Sequence, residues 1–322
     1  MKHKNYIKIT SLFLFLVVGL MLSACSAPTE MITLGEGDWD SNAFHDQVVK
    51  YIIEEGYDVK VDIVASDTAI MIAGMTAGYI DVTLEVWSDN LPSYQQDLTD
   101  ELYQELSVNY DDNMQGLYIP AYLQETNPGL VSVTDLLDYA NLFPDPDGSG
   151  KGIIYGGPEG WGATAFLQDK MIAYGLDDEY IFRTIDSGAT LSATLASAYA
   201  QEEPWVGYNW EPTWIMGIYD MVLLEDSPYN ADDFANGIGS FTSVKVTVCA
   251  RNDFETDYPE VYAFLSNYET SSALTNQGLG YMQENSVEAE AAAIWFLNNY
   301  ESVWSQWVPV DVHDKIIDAL DA

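Results

Sequence analysis

Four short stretches set tryptophan among glycines, prolines and carboxylates: Gly37-Asp38-Trp39-Asp40, Leu84-Glu85-Val86-Trp87, Gly160-Trp161-Gly162 and Tyr208-Asn209-Trp210-Glu211-Pro212-Thr213-Trp214. Core packing explains tryptophan poorly in such company. Indole faces brought together suit a cation with no hydrogen to donate. A quaternary ammonium is out of reach of hydrogen bonds, and ring quadrupoles hold it at about 0.5–2 kcal/mol per face as the site dries. Glu85 stands two residues before Trp87, so strand alternation puts both side chains on one face, where a carboxylate attracts a cation. Local pairing is the other role open to Glu85, and hinge or core packing the other role open to Trp39 and Trp214.

Other chemistries lack their residues. Past the first 25 positions the only histidines are His45 and His313, neither in a nucleophile–base or metal-ligand motif. No phosphate-cradling GxxxxGK run occurs, so an ATP step belongs to another chain. A carbohydrate-active enzyme is the remaining catalytic reading, with Glu85, Glu159 and Glu211 as acids beside tryptophan platforms, yet no spacing singles out an acid/base pair. No cofactor and no metal are implied. Asp145, Asp147 and Ser149 have the spacing of a cation loop, but the glutamate such a loop needs at its twelfth position is missing, and a plain turn is the better reading.

The elements that must carry these residues follow an alternating pattern. Met31–Gly35 reads as a strand, and a helix capped by Ser41 or Asn42 presents Phe44, Val48, Val49, Ile52 and Ile53 on one face. Val59, Val61 and Ile63 alternate as a second strand. Ser66 opens a helix that stops at Gly78, and Tyr79–Trp87 returns as a strand. This βαβαβ order implies a parallel sheet covered by helices. Farther on, Gly152–Tyr155 feeds the run Gly156–Ala163 and then a helix through Phe166 and Met171. Such a strand-to-helix joint presents backbone N–H groups to an anion. Pro259 starts a helical tail in which Trp295, Trp304 and Trp307 read as core.

Residues 1–24 have the form of an export signal: Lys2, Lys4 and Lys8, an apolar run from Leu12 to Leu22, then Leu22-Ser23-Ala24-Cys25. The tetrapeptide is a lipobox, which makes Cys25 the lipidated N-terminus and residues 25–30 a linker on the outer side of the membrane. Cys249 is then the only other thiol, without a disulfide partner, and its β-type surroundings mark it as buried and inert. With 51 acidic against 11 basic residues, the chain repels nucleic acid and anionic solutes and favours a cationic or zwitterionic ligand.

The chain resembles the substrate-binding proteins of ABC importers for glycine betaine, choline and proline betaine. The likeness rests on Gly56-Tyr57-Asp58-Val59 through Trp87, Asn141-Leu142-Phe143 through Gly160-Trp161-Gly162, and the segment from Tyr208 to Trp214. It implies an α/β, two-lobe periplasmic-binding-protein-like (type II) fold with a hinge. The lobes expected are 31–118 with 243–322, and 119–242. It further implies a box of Trp87 from one lobe with Trp161 and Trp210 from the other, joined by Trp39 and Tyr118. Backbone N–H groups of Gly162 and Ala163 would receive a betaine carboxylate, and Asn90 stands near the place where some betaine receptors carry a histidine. The implied protein is a monomeric receptor in osmoprotection that delivers its solute to a membrane permease driven by a separate ATPase. Carnitine-, proline- or histidine-like solutes held through Glu85 are the alternative ligands.

Overall fold

The computed structural model describes residues 31–322 apart from Asp38, Asp67, Pro92 and Gly160. The export signal, Cys25 and the linker lie outside the described residues. Strand β1 (Met31–Glu36), helix α1 (Asp40–Tyr51), β2 (Lys60–Ala65), α2 (Thr68–Thr76) and β3 (Val82–Trp87) realise the βαβαβ pattern, with β1 parallel to both β2 and β3. Then come β4 (Gln104–Tyr110), β5 (Gln115–Pro120), β6 (Gly152–Gly156), α3 (Gly162–Ala173), β7 (Tyr180–Thr184), α4 (Gly188–Gln201), β8 (Gly207–Trp210), α5 (Trp214–Ile218) and β9 (Met221–Leu223). Strand β10 (Val246–Ala250) and the helices α6 (Pro259–Leu265), α7 (Ser272–Asn285), α8 (Ala289–Asn299) and α9 (Val310–Leu320) complete the chain.

The strands form two five-stranded sheets, in the orders β2-β1-β3-β10-β4 and β7-β6-β8-β5-β9. In each, four strands run parallel and the fourth position is antiparallel. Those two antiparallel strands, β10 and β5, are the ones the chain lays down after crossing from the other sheet. Because β5 pairs wholly within the second sheet, the first crossing lies at residues 111–114. That is earlier than the expected 118/119 boundary and moves Tyr118 into the second lobe. The return falls between Leu223 and Val246.

Each lobe has its own core. Ile32, Leu34, Val48, Val82, Phe264, Leu297 and Trp304 are fully buried in the first. Leu117, Ile119, Ile154, Leu167, Leu191 and Trp205 fill the second. Trp304 and Trp307 are core as expected, and Trp295 is half-buried and stacks on Tyr281 at 4.6 Å. Cys249 is buried, and burial pushes its thiol up to about 12, so it is inert. Trp214 packs against both cores at the start of α5. There α5 meets α7 of the other lobe so closely that a Cβ on Gly217 would stand 2.2 Å from the carbonyl oxygen of Asn276. The Thr213 N–H donates to Asn276 Oδ1 at 2.8 Å across the same seam. Trp214 therefore belongs to the joint between lobes.

The expected cap of α1 changes. Trp39, not Ser41 or Asn42, occupies the cap position of α1, and no side chain caps that helix. Both polar residues are recruited elsewhere: Asn42 Oδ1 accepts from the Gly37 N–H at 2.7 Å, and the Ser41 hydroxyl donates to Glu85. The Ser66 N–H donates to the Glu36 carbonyl, two residues before Thr68 of α2. The 145–149 turn is filled by a side chain. Arg183 donates to Asp145 at 2.8 Å and to Asp147 at 2.6 Å, so a guanidinium occupies the place the acidic spacing hinted at for a cation.

Candidate functional site

Open α/β sheets bind ligands beyond the carboxyl ends of their parallel strands. The singled-out tryptophans sit at those ends. Trp39 follows β1, Trp87 is the last residue of β3, Trp161 follows β6 and Trp210 ends β8. Sequence spacing alone did not sort them into pairs, and the structure does.

In the first lobe Trp39 and Trp87 are tied to one atom. The Trp39 indole N–H donates to Glu85 Oε2 at 2.5 Å, the Trp87 indole N–H at 3.3 Å and the Ser41 hydroxyl at 3.1 Å. Glu85 is 1% exposed. Alternation put it on the face of Trp87, and burial then placed it behind the indoles, at their N–H edges. Its other oxygen has no hydrogen-bond partner among the described residues; His45 Nε2 stands 3.7 Å away. That contact is no ion pair, because burial holds the imidazole down at about 3 and therefore neutral. His45 is itself fixed by Tyr268 at 2.7 Å and Thr275 at 3.2 Å. Burial pushes Glu85 up to about 7, opposed by the hydrogen bonds from Trp39, Ser41 and Trp87. The Tyr110 hydroxyl adds a favourable influence on the carboxylate without reaching regular hydrogen-bond geometry. The Tyr110 ring meets Trp87 edge-on at 6.1 Å. A Cβ at Gly37 would come within 2.3 Å of the Trp39 ring, so only glycine lets that indole fold back over the strand end.

The second lobe builds its half from rings and glycines. Trp161 and Trp210 meet at 5.2 Å and 88°, and Tyr208 stacks on Trp210 at 5.6 Å. Gly188, the first residue of α4, lies against both indoles: a Cβ there would be 3.0 Å from Trp161 and 3.2 Å from Trp210. Trp161 is the cap residue of α3, so Gly162 and Ala163 are its first two residues, and no side chain caps them. Thr164, next in that turn, is fully buried, its hydroxyl without a partner among the described residues. Tyr118 is buried on β5 with its hydroxyl without a partner among the described residues, and burial first, then Glu211 and Tyr208, raise its pKa. Burial and Asp112 raise Glu211. Asn90 ends the 3-10 turn that follows Trp87, and its side chain lies outside the described residues.

The chain from 30 to 299 matches the family described as the substrate binding domain of ABC-type glycine betaine transport systems. The chain belongs to this family. It is a substrate-binding protein of the betaine/choline ABC transporter class, a receptor and not an enzyme, and its family works outside the cytoplasm. The glycosidase reading of Glu85, Glu159 and Glu211 is therefore set aside. Among curated relatives, the trimethylamine N-oxide-binding protein of Pelagibacter ubique (strain HTCC1062) is 24% identical over 315 residues, 92% of this chain and 98% of that one. Among solved structures, lactococcal OpuAC in its closed form with glycine betaine has a TM-score of 0.67 at 20% identity, covering 87% of this chain and 100% of that one. A choline-binding ABC-transporter protein in complex with choline has a TM-score of 0.65 at 20% identity, covering 91% and 100%. These likenesses establish the two-lobe periplasmic-binding-protein fold. No helix among the described residues is long and apolar enough to cross a membrane.

Sequence reasoning did not single out Ser41, His45, Tyr110, Tyr208 or Gly188. Tyr208 was within reach, two residues from Trp210 on the same strand. His45 and Ser41 were not, because their partners stand 223 and 44 residues away.

Proposed function

We propose that this receptor captures a solute bearing a trimethylated or otherwise quaternary ammonium, such as choline, glycine betaine or proline betaine. The head is enclosed between the Trp39–Trp87 pair of one lobe and the Trp161–Trp210 pair of the other. The observation that carries this reading is the pairing itself. In each lobe two indoles converge at the carboxyl ends of parallel strands, and in the first lobe their N–H edges turn toward a buried carboxylate. That arrangement leaves ring faces, the electron-rich surfaces, for a cation. Chain connectivity supports one shared cleft. Tyr110, beside Trp87, and Gln115, the ladder partner of Trp210, are five residues apart, a span of at most about 18 Å. Gly162 and Ala163 would receive a carboxylate at the far end of a betaine. Asn90 is assigned to the rim and Tyr118 to the buried wall of the second lobe, and Glu85 holds the rings and supplies negative potential.

The curated relative favours trimethylamine N-oxide as a second ligand, with the same trimethylated head and no net charge. The mechanism is closure of the lobes about the crossings, stabilised by the ligand's preference for the closed state. Lipidation of Cys25 would hold the monomeric receptor beside its permease, and mass spectrometry of the membrane-extracted protein tests that. Calorimetric titration with choline, glycine betaine, proline betaine, carnitine and trimethylamine N-oxide, beside proline, histidine and a set of sugars, tests the ligand class. Binding confined to proline, histidine or sugars would overturn the assignment.

A further inference from the structure

Resting on the ligand class above, we propose that Glu85 makes this receptor proton-linked. Docking a fixed cation on the Trp39–Trp87 face drives a proton off Glu85, so affinity for net cations rises with pH while affinity for net-neutral methylated amines stays nearly flat.

Geometry carries the proposal. Glu85 is sealed beneath the two indoles, and Oε2 takes both their N–H groups and the Ser41 hydroxyl. Three donors on one oxygen favour the ionised form, while the other oxygen is left unpartnered in a dry setting that favours the protonated one. No lysine or arginine among the described residues pairs with Glu85 to settle the matter.

The groups around it do not supply a positive charge either. From α1 come His45, neutral in its buried seat, and Asp46, a fully buried carboxyl without a hydrogen-bond partner among the described residues that burial, Glu36 and Glu85 all push upward. From β4 comes Tyr110, and from the segment before α7 comes Tyr268, both raised by burial and by Glu85. Asp112 bears on Tyr110 and Glu36 on Asp46. Every neighbour is thus neutral or negative, and Glu85 stands near the point of ionisation at neutral pH. The one positive charge able to arrive is the ligand's. An ionised carboxylate at the N–H edges also polarises both rings toward their faces, so the ionised form binds the cation more tightly.

The probes are choline as the net cation, and glycine betaine and trimethylamine N-oxide as net-neutral ligands. Titrations at pH 7 in buffers of different ionisation enthalpy read the protons released. Choline is expected to release a substantial fraction of one proton, and its affinity to rise about sevenfold from pH 5.5 to pH 8, as follows from a one-unit fall in the carboxyl's pKa. The two neutral ligands are expected to change less than about threefold over that range. In Glu85→Gln the choline profile should become flat, with proton release lost. If the variant does not fold, the wild-type buffer dependence decides alone. Choline binding without buffer-dependent heat, or an equal slope in Glu85→Gln, overturns the proton linkage and leaves the ligand class standing. Failure of every methylated ammonium to bind overturns the ligand class, and the linkage with it.

Discussion

The two halves of the site solve the same problem with different materials. The first lobe backs its indoles with polar groups: Glu85 accepts from the N–H edges of Trp39 and Trp87 and from Ser41, with His45 and Tyr110 packed beside it. The second lobe backs its indoles with Gly188, with Tyr208 and with the start of α3, and among the described residues no carboxylate accepts from either indole there. Polar backing responds to charge and to pH. Glycine and aromatic backing responds to shape. Under the proposed function, one lobe would sense what charge a solute carries, and the other would measure whether its head fits.

Removing a ring from the shape-sensing half should have the largest effect. Trp210→Ala takes away one indole face and leaves Trp161 without its T-shaped neighbour, so affinity for a quaternary ammonium should fall by about 2–3 kcal/mol, roughly 30- to 150-fold. The same protein should keep its circular dichroism spectrum, because Trp210 is only partly buried. An unchanged dissociation constant would remove it from the site.

Breaking the polar half should be graded by chemistry. Glu85→Ala leaves two indole N–H groups and a serine hydroxyl without their acceptor, at about 1–3 kcal/mol each for those that stay buried. Glu85→Gln keeps an acceptor and should cost choline about tenfold, with much less loss for glycine betaine. Equal losses for both ligands in Glu85→Gln would show that the residue shapes the pocket without sensing charge.

Stability should separate the halves next. The folded-state pKa of Glu85 is raised above its unfolded value, so the folded protein holds this proton more tightly, and the contribution is present below about pH 4.5 and lost as pH rises through about 7. Its size is on the order of 3 kcal/mol. His45 works in the opposite sense: its lowered pKa gives a contribution present above about 6.5 and lost as pH falls toward about 3. Denaturant melts of the ligand-free protein between pH 5 and 8 should show a smaller decline with rising pH in Glu85→Gln than in wild type. An unchanged slope would mean that the carboxyl does not titrate in this window.

The smallest effect should come from Gly188→Ala. The added methyl meets both indoles at 3.0–3.2 Å, so the rings must give by a few tenths of an ångström, and binding should weaken several-fold with less than about 1 kcal/mol lost from the fold. A larger loss of stability than of affinity would place the rings in the core rather than at the ligand.

Much of this was legible in the sequence. The βαβαβ order, the glycine-rich entry to α3, the buried Cys249 and the core role of Trp304 all follow from local periodicity, and local periodicity decides such features. What stayed hidden depends on partners far along the chain. Ser41 reads as a helix cap because local rules reward serine there, yet Glu85, 44 residues away, claims its hydroxyl. The acidic 145–149 segment reads as a plain turn, and nothing local reveals that Arg183 enters it from β7 to pair with Asp145 and Asp147. Tyr118 reads as the end of the first lobe because strand propensity does not say which sheet a strand joins, and the pairing of β5 with β8 decides that. Alternation placed Glu85 beside Trp87, but only packing turned it inward.

A structure with choline bound tests the shared cleft most directly. The expected result is one ammonium nitrogen within about 6 Å of the ring centroids of Trp39, Trp87, Trp161 and Trp210 together. A choline nitrogen held by one lobe alone, or seated away from these rings, would contradict it.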